Sequence, residues 1–487
     1  MAVQSEHTEA LDLFADSHAI LERARHGTRL MTIRGAVMRG ISIGANLLLL
    51  VLVSPSELGL LAVARGTFAL LQYLAELGIG KALLRRSATP TQSEYAALAG
   101  LQILVGCIVI TIGAFWSAPI LGFGAIDRRW HYPMLATVAT MLSLAYGTGA
   151  RVRLERALAY ERLAIVDVLN VLLLNVGLLL FALIHQFPLG VFVLLGVATV
   201  AANGLLYAWA PGPVPSLNLR PLRGIAKQSS GFLVASTCAV VREQGTAVLI
   251  GGLFGLSIAG LYSFAERVAQ VLNISFDGFR NASTPAAARL AGDTRSLRAL
   301  ATRTLAGSAS LTAPLALVAI CALPILAHLV PKWSSAVLLT QWYVGAYAIY
   351  GVLAASMEPA AVAKMGARAA VTEQASALLA GWAAFVMVHF MGPAYLAAAV
   401  VIMYAAPLIA LFAVMSHDVR PEISRDITLM SATFVLSVAF YAGLQQMHAP
   451  LLVSAILPPL LLVSMVPQFR SFLTRLRARW STTRIAE

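Results

Sequence analysis

Residues 59–81 read GLLAVARGTFALLQYLAELGIGK, a run long and apolar enough to cross a membrane as one helix. The run nevertheless carries Arg65, Gln72 and Glu76. At 3.6 residues per turn these three side chains share one face, because they are spaced i, i+7 and i+11. The sequence therefore predicts a membrane helix with a single polar stripe on a lipid-like surface.

A second run at 260–279, GLYSFAERVAQVLNISFDGF, repeats this design 201 residues later without a gap. Its polar stripe consists of Glu266, Gln270, Asn273 and Asp277. A constant offset of this kind indicates an internal duplication. Duplicated helices whose charged faces turn to a central cavity are typical of membrane transporters.

The composition is that of a membrane protein. The 487 residues are 59% hydrophobic and only 12% charged, against the ~25% charged residues of a soluble domain. We therefore predict an all-α polytopic membrane protein with about fourteen transmembrane helices, arranged as two six-helix lobes in a pseudo-twofold arrangement plus a terminal helix pair. The three cysteines lie in apolar runs without metal-binding spacing, so no disulfide, metal or cofactor is expected.

The apolar runs and the loops between them divide the chain into six segments. The linker is predicted from four prolines at the middle of the chain. The predicted segments are an amphipathic or disordered cytoplasmic N-terminus (1–30), an N-lobe of spans 1–6 (31–210), a cytoplasmic linker (211–228), a C-lobe of spans 7–12 (229–416), accessory spans 13–14 (427–467) and a basic cytoplasmic tail (468–487).

The distribution of basic residues orients the chain. Alternate loops and the two ends together hold 28 of the 35 lysines and arginines, and the opposite loops hold only three. Because basic residues accumulate on the cytoplasmic side, both ends are predicted to be cytoplasmic. The net charge of +13 does not indicate nucleic-acid binding, since the positive residues lie between hydrophobic segments and not on one soluble face.

Charged side chains inside the spans predict a polar cavity, because an arginine near the bilayer centre costs ~2.5 to 3.5 kcal/mol on insertion scales. Spans 1, 2, 7 and 8 supply these side chains. The predicted substrate-binding residues are Arg39, Asn46, Arg65, Gln72, Arg242, Arg267, Gln270 and Asn273. The predicted ion-coupling or partner acids are Glu76, Glu243, Glu266 and Asp277.

Four of these residues also have a plainer interpretation. Arg39 lies close enough to the start of span 1 to extend towards the cytoplasmic interface. Glu76 and Asp277 lie near the cytoplasmic ends of their helices, where they can form solvated ion pairs with nearby basic residues. Arg267 follows Glu266 directly and cannot share its face, so it can pair with another helix instead.

The stretches SPSELGLLAVARGTFALLQYLAELGIGKALLRR (54–86) and FGLSIAGLYSFAERVAQVLN (254–273) are similar to the Wzx-type polysaccharide transporters of the multidrug/oligosaccharidyl-lipid/polysaccharide exporter superfamily. This resemblance implies a flippase that moves an undecaprenyl-diphosphate-linked oligosaccharide from the cytoplasmic to the periplasmic leaflet of the bacterial inner membrane by alternating access. It implies exopolysaccharide or O-antigen (lipopolysaccharide) biosynthesis, with membrane lipids, a coupling proton or sodium ion, and the polysaccharide polymerase machinery as partners. The arginines implied to bind the anionic substrate are Arg39, Arg65, Arg242 and Arg267.

Two other functions stay open. A cation-coupled drug or metabolite exporter of the same superfamily should have an acid-rich cavity, whereas four arginines against four acids favour an anionic substrate. A membrane glycosyltransferase or polymerase would need a large outer loop or a nucleotide-sugar domain, and the chain has neither. We therefore predict a transporter and not an enzyme.

Overall fold

The computed structural model describes residues 34–415, apart from 36, 77, 86–89 and 116–127, together with residues 420 and 421. Within these residues the chain is helical and contains no strand, so the predicted all-α class is confirmed. The predicted N-terminal segment, the accessory spans 13–14 and the basic tail lie outside the described residues.

The contacts divide the chain into two compact units, with the boundary between Leu233 and Val234. The helices of unit 1 are α1 (Val37–Leu52), α2 (Pro55–Glu76), α3 (Ile79–Arg85), α4 (Gln92–Phe115), α5 (His131–Ala139), α6 (Leu144–Arg156), α7 (Tyr160–Leu183) and α8 (Phe187–Trp209). Helix α9 (Arg220–Phe254) contains the boundary. The remaining helices of unit 2 are α10 (Leu256–Gln270), α11 (Asn273–Arg289), α12 (Thr294–Leu329), α13 (Val337–Met365), α14 (Ala367–Met391) and α15 (Leu396–Val414).

Nine helices in the described part of the chain are long and apolar enough to span a membrane. The other three of the twelve spans predicted in the two lobes, near 32–54, 133–151 and 257–279, fall on α1, on α5 with α6, and on α10 with α11, which are individually short. The 3₁₀ turn Thr140–Ser143 separates α5 from α6. Every span predicted up to residue 415 thus coincides with a helix or a helix pair, whereas the total of fourteen stays a prediction.

Local sequence signals set where two of the helices begin. Before α2, the Ser54 backbone N–H donates to Glu57 Oε2 over 2.8 Å, and the Glu57 N–H donates back to Ser54 Oγ over 3.3 Å. Thr91 and Glu94 repeat this arrangement before α4, at 2.7 and 3.3 Å. Both are capping boxes, which satisfy backbone donors that a helix start would otherwise leave without partners.

Asp293 caps α12 in a different way. Its Oδ1 accepts hydrogen bonds from the backbone N–H groups of Arg295 and Ser296, at 3.0 and 3.2 Å. The Ser296 hydroxyl donates to Oδ2 over 2.5 Å. These hydrogen bonds favour the charged form of the Asp293 carboxyl and hold its pKa below the usual value. The hydrogen bond from the Ser296 hydroxyl contributes most.

The two duplicated spans were predicted as continuous helices, and that prediction is wrong for both. In the first, α2 ends at Glu76, and Gly78 takes a left-handed φ of 68° before α3 begins. In the second, the N–H groups of Val271 and Leu272 bond to carbonyls only three residues back, at 3.3 and 2.9 Å. These tighter turns interrupt the regular ladder between α10 and α11 without a glycine or proline.

Apolar side chains form both the interior and much of the exterior of each unit. The interior clusters include Leu83, Leu98 and Val152 in unit 1 and Leu297, Met357 and Leu411 in unit 2. Large apolar side chains such as Leu180, Leu379 and Phe390 are exposed. Lipid tails are as apolar as leucine, so such side chains suit a surface in contact with the bilayer.

The segment between α8 and α9 is bound to unit 1. Arg153 of α6 donates from Nη1 to the Pro211 carbonyl over 2.6 Å and from Nη2 to the Ala210 carbonyl over 2.7 Å. The Ser216 N–H donates to the Ala96 carbonyl over 2.8 Å. At Gly100 the backbone approaches Ser216 so closely that a Cβ would overlap its carbonyl. The predicted linker 211–228 thus begins as an extended, docked strip, and α9 starts at Arg220.

Candidate functional site

The predicted residues of unit 1 lie on two helices. Arg39 and Asn46 are on α1, and Arg65, Gln72 and Glu76 are on α2. The side chains of Arg39 and Arg65 are exposed, and the other three are half-buried. Their exposure suits contact with a ligand or with water, while their substrate-binding and ion-coupling roles stay predictions.

Unit 2 contains a polar cavity of about 310 Å³ between its helices, called the unit 2 cavity below. Six of the seven predicted residues of this unit line it, namely Arg242, Glu243, Glu266, Gln270, Asn273 and Asp277. The interruption at Val271 and Leu272 leaves two members of the predicted stripe on α10 and two on α11, yet all four reach the same cavity. Arg267 is half-buried and does not line the cavity.

Arg242 is the most deeply buried charge among the predicted residues, with 7% of its surface exposed. Its Nη2 donates to Glu243 Oε1 over 3.0 Å, and its guanidinium carbon lies 5.8 Å from the centre of the Tyr350 ring. Its Nε is buried and has no hydrogen-bond partner among the described residues. The side chain of Glu243 is 56% exposed, so the acidic member of the pair is accessible to cavity water and the basic member is not.

Five tyrosines from three helices line the cavity, and the sequence reasoning missed them. They are Tyr262, Tyr343, Tyr347, Tyr350 and Tyr404. The hydroxyl oxygens of Tyr343 and Tyr404 lie 2.9 Å apart, and the Tyr347 hydroxyl donates to Asn273 Oδ1 over 2.6 Å. A signal was present in the sequence, because Tyr343, Tyr347 and Tyr350 are spaced i, i+4 and i+7 within one apolar run.

Two acids near the cavity were also missed. Glu358 accepts a hydrogen bond from Arg280 Nη2 over 2.7 Å. Glu373 is only 1% exposed and accepts a hydrogen bond from the Tyr350 hydroxyl over 2.8 Å, while its Oε2 has no partner among the described residues. Both lie inside predicted spans, where an ionisable residue indicates function by default.

Close helix packing gives the cavity its shape at Gly351 of α13. A Cβ at this position would overlap the ring of Phe276 on α11. Phe276 in turn packs edge-on against Tyr347, with ring centres 5.6 Å apart. Glycine at 351 therefore allows α11 and α13 to bring their polar side chains to one cavity.

Carboxylates outnumber guanidiniums in the lining of the unit 2 cavity. Two guanidiniums, those of Arg242 and Arg280, face three carboxylates, those of Glu243, Glu266 and Asp277. Each guanidinium also has a carboxylate partner, which reduces the cost of holding it in the membrane. The cavity therefore offers hydroxyl, amide and carboxylate groups to a ligand, and its cations are available only if their partners move or become neutral.

Comparison with known proteins gives the family. The model of the family described as "Polysaccharide biosynthesis protein" matches residues 48–338, more than half of the chain. No curated protein sequence matches the chain.

Several solved structures are similar to the chain. The lipid II flippase MurJ, in an inward closed conformation, is 13% identical, with a TM-score of 0.69 over 92% of this chain and 99% of that one. An inward-facing multidrug resistance MATE family transporter of the MOP superfamily is 12% identical, with a TM-score of 0.49 over 76% of this chain and 92% of that one. The Vibrio cholerae MATE transporter VcmN, in a bent form, is 14% identical, with a TM-score of 0.40 over 80% and 92%.

The first of these structures shows that the chain shares its fold with the lipid II flippase MurJ, and the long apolar helices are those of a multi-pass membrane protein. The resemblance carried by the two duplicated stretches is confirmed, and the chain belongs to the polysaccharide biosynthesis protein family.

Proposed function

We propose that the protein is a flippase for an undecaprenyl-diphosphate-linked oligosaccharide. It moves this lipid from the cytoplasmic to the periplasmic leaflet of a bacterial inner membrane by alternating access, for exopolysaccharide or O-antigen biosynthesis. Membership of a polysaccharide biosynthesis family and a transporter fold support the proposal. They also argue against a glycosyltransferase or polymerase.

The observation that carries the proposal is the unit 2 cavity. Polar groups inside a membrane are costly unless they serve a ligand or each other, and this cavity gathers five tyrosines, an asparagine and three acids in one lining. Tyrosine hydroxyls and side-chain amides both donate and accept hydrogen bonds, which suits the hydroxyl groups of a sugar. A volume of about 310 Å³ lies at the low end of ligand cavities, roughly 300 to 1,000 Å³, so this cavity takes a part of the oligosaccharide.

The pairing of Arg242 with Glu243 suggests how ion coupling works. Arginine presents a planar fork of donors that fits a diphosphate, but Glu243 occupies one arm of that fork over 3.0 Å. A proton or sodium ion taken up by the exposed Glu243 carboxylate frees Nη2 of Arg242 for the anionic substrate. Loss of the ion restores the pair and releases the substrate. Glu266, Asp277 and Glu76 are the other acids proposed for this exchange.

The acid-leaning lining supports a second candidate, a cation-coupled exporter of drugs or metabolites. The sequence predicted four arginines and four acids at the site, whereas the cavity lining contains two paired guanidiniums and three carboxylates. This lining suits a cationic solute better than the sequence predicted. The two functions differ in the sign of the charge that they transport.

Reconstitution distinguishes them. Purified protein in proteoliposomes receives either a fluorescent lipid-linked oligosaccharide, whose flipping is read by an impermeant quencher, or a cationic dye. Flipping is expected for the wild type, with a loss of about tenfold in Tyr347→Phe, which removes the hydroxyl that holds Asn273. Tyr395→Phe is the matched control, because this exposed tyrosine lies outside the cavity lining. Export of the dye without flipping of the lipid would refute the flippase proposal and support the exporter.

A further inference from the structure

Unit 1 contains a second cavity, of about 540 Å³, that the transport proposal does not use. We call it the basic cavity. It is lined by Arg34, Leu84, Arg151, Glu155, Arg156, Leu158 and Tyr160. These residues lie just before α1, on α3, in the last part of α6 and at the start of α7, so the cavity lies near the ends of four helices.

A carboxylate outside the lining holds two of the guanidiniums in position. Asp167 of α7 accepts a hydrogen bond from Arg34 Nη1 over 2.6 Å. Its two oxygens also accept from Arg151 Nη2, at 3.1 and 3.0 Å. Asp167 is 14% exposed, so this shared ion pair is partly sheltered from water. The geometry of the two arginines is therefore fixed before any ligand arrives.

Several N–H donors of the two arginines stay uncommitted. Among the described residues Arg34 makes only the bond to Asp167, which leaves its Nη2 and its buried Nε without a partner. Arg151 uses Nε for Glu155, at 3.1 Å, and Nη2 for Asp167, which leaves Nη1. A guanidinium carries five N–H donors, so each of these arginines can bind a further acceptor.

Guanidiniums outnumber carboxylates in the lining of the basic cavity. Three guanidiniums and one carboxylate line it, and Asp167 adds only one negative charge beside it. Arg156 also donates from Nη1 to the Leu83 carbonyl over 3.1 Å. Basic residues that only set membrane topology need not converge, whereas these three meet in one cavity. An anion is the ligand that completes the site.

We propose that the basic cavity binds the phosphate group of an anionic membrane lipid. Arginine forks suit phosphate, and basic pockets at the ends of membrane helices are places where anionic lipid headgroups bind. The apolar side chains of Leu84 and Leu158 and the ring of Tyr160 flank the arginines and suit the glycerol and acyl portions of a lipid better than a free ion. The proposal does not depend on which substrate the protein transports.

Native mass spectrometry and thermal denaturation of the full-length protein in non-ionic detergent test the proposal. Phosphatidylglycerol, phosphatidylcholine and inorganic phosphate are added separately. Phosphatidylglycerol alone is expected to give a retained adduct and to raise the melting temperature. An equal effect of phosphatidylcholine would overturn the requirement for an anion, and an equal effect of inorganic phosphate would overturn the requirement for a lipid.

Variants locate the binding. Arg34→Gln should weaken phosphatidylglycerol binding about tenfold, the effect of one lost charge-assisted contact, and should fold because Asp167 keeps Arg151 as its partner. Arg151→Lys, which keeps the charge but loses the fork, should be intermediate. Arg162→Gln removes a charge near the start of α7 that lies outside the lining, and should bind like the wild type. Equal binding by Arg34→Gln and Arg162→Gln would overturn the site. Arg156→Gln repeats the test if Arg34→Gln does not fold.

Discussion

Replacement of Gly351 by alanine tests whether close packing of α11 on α13 shapes the unit 2 cavity. A methyl group at 351 would overlap the Phe276 ring, which is 7% exposed and already packs against Tyr347. Overpacking of this kind costs ~1 to 3 kcal/mol. Alanine also favours a helix over glycine by roughly 1 kcal/mol, so the raw effect of the substitution mixes two terms of opposite sign.

Gly345 provides the matched control, because it lies on the same helix and has no atom within 4 Å of its would-be Cβ. The helix-propensity term is then common to both variants, and their difference isolates the overlap. At ~2 to 4 °C per kcal/mol for domains of this size, Gly351→Ala should melt roughly 2 to 12 °C below Gly345→Ala. The assay is the melting temperature in detergent followed by tryptophan fluorescence. The same comparison in a Phe276→Ala background should give no difference.

Equal melting temperatures for the two alanine variants would refute this reasoning, since they would mean that the Phe276 ring yields without cost. A difference that persists after Phe276→Ala would assign the effect to another contact. If Gly351→Ala folds normally but reshapes the cavity, it should still lower transport, because Gly351 belongs to the lining.

Two further predictions concern hydrogen bonds. Tyr350→Phe removes the one described donor to the buried Glu373 carboxylate, and should cost ~1 to 3 kcal/mol of stability relative to Tyr395→Phe, measured by thermal denaturation; equal stability of the two would mean that water replaces the hydroxyl. The pKa of Asp293 is lowered in the folded state, so its cap stabilises α12 above the ordinary aspartate value of ~3.9 and is lost as the pH falls through the lower folded value. Hydrogen exchange at the Ser296 amide should therefore lose protection only below about pH 4, and unchanged protection in Asp293→Ala would contradict the cap.

The fold was readable from the sequence because a membrane imposes a strong length rule. Runs of about 20 apolar residues have few alternatives to a spanning helix, and every predicted span up to residue 415 coincides with helical structure. The interruption at Val271 and Leu272 was not readable. No glycine or proline marks it, and the tightened turns depend on how α10 and α11 pack in unit 2.

Part of the candidate site could be predicted from the sequence, because helical spacing reveals residues that share one face of a helix. The charge stripe on α10 and α11 identified four lining residues, because helical spacing survives the interruption between them. Glu373 is a single acid in an apolar helix, and its partner Tyr350 lies on a different one. Pairs of this kind depend on the packing of separate helices, and one sequence does not encode that packing in any local pattern.

The strip between α8 and α9 has a consequence for building the protein from two pieces. Arg153 binds the carbonyls of Ala210 and Pro211, and Ser216 adds a hydrogen bond to Ala96. This proline-rich stretch is therefore a structural part of unit 1. A two-gene version cut after α8 would remove the strip from the first fragment and leave the Arg153 guanidinium and the Ala96 carbonyl without these hydrogen bonds. Co-expressed halves should therefore reassemble best when the first fragment retains the strip to residue 219.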